Sequence, residues 1–226
     1  MKIHISIFSY QRKEELESLI REIKSFKYDI TYSIFDDKSD YVLEDENFYQ
    51  FEEHKGRQLF CQIYDTALRS CENINADIFI FMPSDFSLID IERIINYDKK
   101  YNHIKNNIIK QSYCYNLIRD SRLNCWNMQK MKQIDEFSFQ SWFCDGGFFS
   151  NKLLLDQIGY YMPTINQQRF KANPNISSGI GQYLTQRINN KKIKCYHPIK
   201  SLCFHDGTKP STMHPAERLN NPLASI

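Results

Sequence analysis

Residues 2–40 read KIHISIFSYQRKEELESLIREIKSFKYDITYSIFDDKSD, and this stretch decides the fold class. KIHISIF (2–8) alternates and is rich in β-branched residues, which predicts a strand. SYQR (9–12) breaks the alternation as a loop. KEELESLIREIKSF (13–26) then sets Leu16, Leu19, Ile20 and Ile23 at helical spacing, with acids early and bases late. That predicts an amphipathic helix whose charges complement its dipole. DITYSIF (29–35) is the next strand, closed by DDKSD (36–40). Strand, helix and strand in this order form the unit of a parallel sheet.

The same alternation runs on to residue 90. FYQFEE (48–53) reads as a short strand, HKGR (54–57) as a loop and QLFCQIYDTALRSC (58–71) as a helix. ADIFIFM (76–82) is unbroken and apolar, the pattern of a strand buried on both faces, and it stops at Pro83, Ser84 and Asp85. Residues 1–90 therefore read as a doubly wound α/β half. In such sheets ligands bind beyond the carboxyl ends of the strands. Three ends carry distinctive tips: Ser9-Tyr10-Gln11-Arg12, Asp36-Asp37 and Pro83-Ser84-Asp85. They are expected to converge on one crevice, with Asp85 where the sheet presents its ligand.

The remainder, 91–226, is less regular. It predicts a helix over 88–102, a strand over 106–116 and a strand over 191–198. Between them, 139–161 reads as strand, Gly-Gly turn, strand and short helix, and 177–190 as a helix. The tail over 201–223 is loop-rich and is expected to wrap back over the crevice. One domain spanning 1–226 is the expectation, with a nucleotide-binding half (1–90) and an acceptor-side half (91–226).

The formal charge of +2 neither demands nor excludes a polyanionic partner. The seven cysteines are odd in number and include no CxxC pair, so they read as reduced, buried thiols and not as a disulfide framework. No signal peptide and no membrane-spanning apolar stretch are evident, which predicts a cytoplasmic protein without a membrane partner.

A crevice with several carboxylates, a tyrosine and arginines suits a nucleotide. Tyr10 could stack on a base. Asp36 or Asp37 could accept from base N–H or ribose hydroxyl groups, and Arg12 or Arg57 could contact phosphate. Asp85 could hold a divalent cation on a diphosphate, with His205 as an imidazole ligand. Each feature alone has a plainer structural reading; their order along the chain is what favours function. The chain has no P-loop and no GxGxxG after the first strand, which counts against kinases and dehydrogenases.

In this order the motifs resemble those of the GT-A glycosyltransferases, specifically the family 2-like group. ISIFSYQR resembles their first strand and its Thr-Tyr-Asn-Arg-type tip, and SIFDDKSD their Asp-Asp-Gly-Ser-type turn. HKGRQLFCQIYDTAL resembles the loop and helix before the metal motif, whose place IFIFMPSDF takes. CDGGFFSNKLLLDQIGYY is similar to their Gly-Gly segment, and the stretch from Ser178 to Pro215 to the end of small glycosyltransferases of bacteriophages and bacteria.

The resemblance implies a GT-A, Rossmann-like α/β fold: a mixed, mainly parallel sheet flanked by helices. It implies a nucleotide-sugar donor, a UDP-sugar first of all, and Mn²⁺ or Mg²⁺. Ser9, Tyr10, Arg12, Asp36, Asp37, Arg57, Ser84, Gly146 and Gly147 would contact the donor. Asp85 and His205 would hold the metal, and Asp145 would meet sugar or acceptor hydroxyls. Two departures stand out. Pro-Ser-Asp keeps one acid of the metal motif, and ISSGIGQYL lacks the Glu-Asp pair of inverting members. Asp145 is then the candidate general base, and a retaining mechanism stays open. A hydroxymethylated pyrimidine in phage DNA is the first acceptor, served by basic residues between Lys99 and Lys132. A surface-polysaccharide precursor is the second. A non-catalytic nucleotide-binding module and a nucleotidyltransferase are the competing classes.

Overall fold

The computed structural model describes residues 1–102, 111–117, 132–133, 138–141, 144, 147–173 and 178–205. Eleven strands are β1 (Lys2–Ser9), β2 (Asp29–Asp36), β3 (Phe48–Gln50), β4 (Ile78–Pro83), β5 (Phe86–Ser87), β6 (Tyr113–Asn116), β7 (Lys132–Gln133), β8 (Ser138–Ser141), β9 (Phe148–Asn151), β10 (Lys194–Pro198) and β11 (Phe204–His205). Six helices are α1 (Lys13–Ser25), α2 (Gly56–Cys71), α3 (Ile91–Asn102), α4 (Lys152–Ile158), α5 (Gln168–Ala172) and α6 (Ile180–Asn190). Among the described residues, nine strands form one sheet in the order β3-β2-β1-β4-β9-β6-β10-β8-β7. Strands β3, β2, β1 and β4 run parallel. Strand β9 is reversed and pairs with β4 on one side and β6 on the other. Because β6 and β10 are parallel to each other and antiparallel to β9, their carboxyl ends return to the edge where β4 ends.

Alternation along the strands sorts the core into two faces. Ile3, Ile5, Ile7, Ile78, Ile80 and Met82 pack with Leu16, Leu19, Ile20 and Ile23 of α1 and with α3. Phe8, Phe79 and Phe81 point the other way, to Tyr64, Ala67 and Leu68 of α2 and to α4 and α6. The unbroken apolar run of β4 is thus covered on both sides. The six described cysteines are buried and free; Cys125 lies outside the described residues. No helix among the described residues is long and apolar enough to cross a membrane.

The predicted strands over 2–8, 29–35 and 76–82 appear within a residue or two. The predicted helix over 88–102 starts later, at Ile91. The backbone N–H groups of Leu88 and Ile89 are held instead by the Glu22 carboxylate, at 2.9 and 2.6 Å. Leu88 has φ 50° and Asp90 accepts from Arg93 N at 2.9 Å, so the helix begins after that turn. Of the strand predicted over 106–116, Tyr113–Asn116 is present; 103–110 lie outside the described residues. Most of the tail, 206–226, also lies outside them. The first strand predicted within 139–161 is β8, whereas β5, β7, β11 and the short helix α5 had no counterpart in the sequence reading.

His4 sits in the middle of β1, 2% exposed. Its Nδ1 meets Thr31 Oγ1 at 3.0 Å and its buried Nε2 has no hydrogen-bond partner among the described residues. Burial lowers its pKa to about 4. Between pH 6.5 and 4 the unfolded chain takes up a proton that the folded chain refuses. Its contribution is therefore complete above pH 6.5 and lost as pH falls towards 4, amounting to about 3 kcal/mol. Urea midpoints should fall from pH 7 to pH 5, and the part of that fall due to His4 should vanish in His4→Gln.

Candidate active site

The three tips meet because their strands are neighbours in register. Ser9 pairs with Asp36 and Phe8 with Pro83. Beyond the last pair the chains stay bonded: Asp37 N donates to Ser9 O at 2.9 Å and Ser84 N to Phe8 O at 2.8 Å.

The second tip is a knot. Asp36 is fully buried and accepts from Ser39 N at 2.7 Å, Ser39 Oγ at 2.6 Å and Gln50 Nε2 at 3.1 Å. Gln50 Nε2 also lies 3.0 Å from Ser39 O and 2.9 Å from Tyr41 O. Gln11, at φ 53°, donates its N–H to Ser39 Oγ at 2.7 Å, tying the first tip to the second. Ser9 Oγ lies 3.1 Å from Tyr41 Oη. Asp37, also buried, reaches the start of α2 and accepts from Lys55 N at 2.5 Å and Gly56 N at 2.8 Å. It thereby satisfies amides that a helix start leaves open. Burial raises its pKa, and those two N–H groups pull it back part of the way. His54 Nδ1 lies 3.2 Å from the same carboxylate, and its ring stacks on Tyr10 at 4.4 Å between centroids and 24° between planes. Arg57 is half-buried in the first turn of α2.

At the third tip, the guanidinium of Arg12, itself 7% exposed, bridges β1 and β4. It lies 3.8 Å from Asp85 Oδ2 and 3.6 Å from Glu15 Oε1. Ser84 is buried. Just past Asp85, Phe86 pairs with His205 across the β5–β11 ladder, so the backbone brings position 205 beside the tip of β4. Gly147 leads into β9, whose Phe148 pairs with Phe81 of β4, which sets the Gly-Gly segment at the same edge. Gly147 O accepts from Leu117 N at 3.1 Å. Asp145, Gly146 and the His205 side chain lie outside the described residues.

The residues brought together are therefore Ser9, Tyr10, Arg12, Asp36, Asp37, Ser84 and Asp85, with Arg57 at the adjoining helix and Gly147 at the adjoining strand. The sequence reading did not single out Ser39, Gln50 and His54, which organise the tips. Their residue types are ordinary in loops, and only the fold makes them neighbours.

No group of three or more metal-ligating side chains is assembled among the described residues. Asp85 supplies one carboxylate, and position 205 adjoins it by register. That set suits a cation held in large part by substrate phosphates, as one or two carboxylates commonly do for Mg²⁺.

No family model matches the sequence and no curated protein matches it. Solved structures do resemble it in fold. S. aureus TarS (residues 1–349) superimposes with a TM-score of 0.53 at 12% identity, over 87% of this chain and 60% of that one. GalNAc-T7, solved with UDP, GalNAc and Mn²⁺, superimposes with a TM-score of 0.56 at 10% identity, over 88% of this chain and 42% of that one. Both are GT-A glycosyltransferases. The chain has a GT-A-like, Rossmann-like α/β fold, as the resemblance implied. It spans about three fifths of the first of these structures and two fifths of the second.

Proposed function

We propose that this chain transfers a sugar from a nucleoside diphosphate, UDP first of all, to a hydroxyl acceptor. The observation that carries this is the bonded convergence of three neighbouring parallel strand tips, with Arg12 of the first beside Asp85 of the third, in a sheet of GT-A type. Tyr10, steadied by His54, is the ring that would lie against the base. Asp36 and Asp37 would act at base and ribose chiefly by fixing the loops from Ser39 to Gly56. Ser9, Ser84 and the Gly146–Gly147 backbone would border the sugar and phosphates, with Arg12 and Arg57 as the nearby cations.

In the reaction the acceptor oxygen attacks the anomeric carbon, and the carbon–oxygen bond to the β-phosphate breaks with its electron pair on the departing diphosphate. Asp145 would take the hydroxyl proton as general base. Asp85 and His205 would hold the divalent cation, Mn²⁺ or Mg²⁺, which when bound offsets charge on the departing diphosphate. The acceptor we put first is a hydroxymethylated pyrimidine in DNA, extruded to reach the crevice. The basic residues between Lys99 and Lys132 are the sequence feature that favours a polyanionic acceptor. A polysaccharide precursor is the second.

The test is nucleoside diphosphate release from a panel of nucleotide sugars with Mn²⁺, with and without DNA containing hydroxymethylcytosine or hydroxymethyluracil. Release stimulated by the modified DNA is the expected result. Release without a DNA effect would move the acceptor to saccharides. Donor binding without release would make the chain a binding module, and no donor binding would overturn the proposal.

A further inference from the structure

We propose that Arg169 is the seat for a phosphate group of the second substrate, an inference that rests on the glycosyltransferase reading of the crevice. Arg169 belongs to α5, which packs at the ligand edge of the sheet. Gln167 Nε2, at the N-cap of α5, donates to Gln58 O in the first turn of α2 at 2.9 Å. That turn is the one Asp37 holds from the tip of β2.

Helix α6 arrives at the same edge by length and direction. It precedes β10, its 11 residues rise about 16 Å, and the 5 residues of β10 extend about 16 Å back. Because β10 ends at the ligand edge, α6 begins there. At its head stands Gly179, with φ +85°. The Arg169 guanidinium rests against it: a β-carbon at Gly179 would collide with Nη1 and lie 3.2 Å from Cζ. The sequence thus leaves room at the head of α6 for this side chain.

Among the described residues the guanidinium meets no carboxylate. Its buried Nε meets no acceptor among them either. Its neighbour on one side is the ring of Phe170, 5.6 Å from Cζ. An arginine cannot shed its charge, and a buried donor without an acceptor is costly. Such a group calls for a bound anion, and the fork of a guanidinium matches the oxygens of phosphate. Nε is sealed, so the N–H groups left to meet a ligand are those on the two Nη atoms. The donor phosphates already have Arg12 and the Asp85 site at the tips of β1 and β4. Arg169 lies against Gly179 at the head of α6, an element of the second half, which is why the phosphate is assigned to the second substrate.

The test follows the Arg169 Nε–H resonance in ¹⁵N-labelled protein, assigned by its loss in Arg169→Gln. Inorganic phosphate should shift it with a Kd on the order of millimolar, and should do so equally when UDP is saturating. Gly179→Ala keeps the charge but displaces the guanidinium, and should weaken phosphate binding about 10-fold, equivalent to about 1.4 kcal/mol. Absence of a phosphate-induced shift would overturn the proposal. So would undiminished phosphate binding by Arg169→Gln, followed on the backbone amide resonances of α5 and the start of α6, which would mean an adventitious ion only. If UDP itself moved the resonance and excluded phosphate, the seat would belong to the donor and the assignment would fall. UDP that perturbed no resonance anywhere in the wild-type protein would instead sink the transferase reading, and with it the phrase "second substrate".

Discussion

Asp85→Asn is expected to cut metal-dependent nucleoside diphosphate release about 100-fold or more while leaving the fold in place. The substitution keeps the shape of the side chain and removes the one carboxylate that the described residues place at the tip of β4. Removing a group that stabilises a developing charge typically costs two to three orders of magnitude in turnover. The stability cost is small by comparison. Arg12 lies 3.8 Å away, beyond hydrogen-bond length, and has Glu15 as a second counter-ion. A surviving melting temperature together with lost turnover is the signature to look for. A companion measurement is Mn²⁺ binding by equilibrium dialysis. Wild-type protein should bind the ion weakly alone and about 10-fold more tightly with UDP, since the phosphates supply the missing oxygens. In Asp85→Asn that coupling should vanish. Full turnover in the variant would refute the metal role of Asp85.

Phe149→Ala should be the most destabilising change of a single side chain. Phe149 is fully buried in β9, the reversed strand that joins the two halves of the sheet. It is opposite Ile80 of β4 and Tyr115 of β6. Its ring stacks on Tyr115 at 5.1 Å and meets Tyr113 edge-on at 5.7 Å. Tyr115 in turn stacks on Tyr97 at 4.4 Å. Truncation leaves a cavity inside this column, at a cost of about 3–5 kcal/mol. That is a large part of the roughly 5–15 kcal/mol that holds a domain folded. Urea unfolding should remain one transition with a lowered midpoint, because β9 is hydrogen-bonded to both halves. Two separated transitions would overturn the proposal that 1–226 is a single domain.

The parallel core was legible in the sequence because its signals are local. Ile3, Ile5 and Ile7 repeat at period two, Leu16, Leu19, Ile20 and Ile23 follow the helical period, and β4 reads as one apolar run. The rule that ligands collect at carboxyl ends points from those patterns to Ser9, Asp36 and Asp85. What escaped was non-local. Nothing near His54 says that its ring will lie on Tyr10, and nothing near Gln50 says that one amide will serve Asp36, Ser39 and Tyr41. Two-residue strands such as β5 and β11 are too short to show periodicity and exist because each finds the other. Arg169 has an unremarkable local sequence, and its meaning comes from Gly179 folded against it. The start of α3 was misjudged for the same reason: a carboxylate far back in the chain, Glu22, holds Leu88 and Ile89.

The place of β9 in the sheet has a consequence for biosynthesis. Strand β4 can pair with β1 once both have emerged from the ribosome, yet its other edge must wait for residues 148–151. During that interval the backbone edge of Ile78-Phe79-Ile80-Phe81 has no native strand to pair with. Such an edge is a template for pairing with other chains. A nascent chain paused between residues 83 and 148 would therefore be at its stickiest, and slow translation across that stretch would favour aggregation over yield.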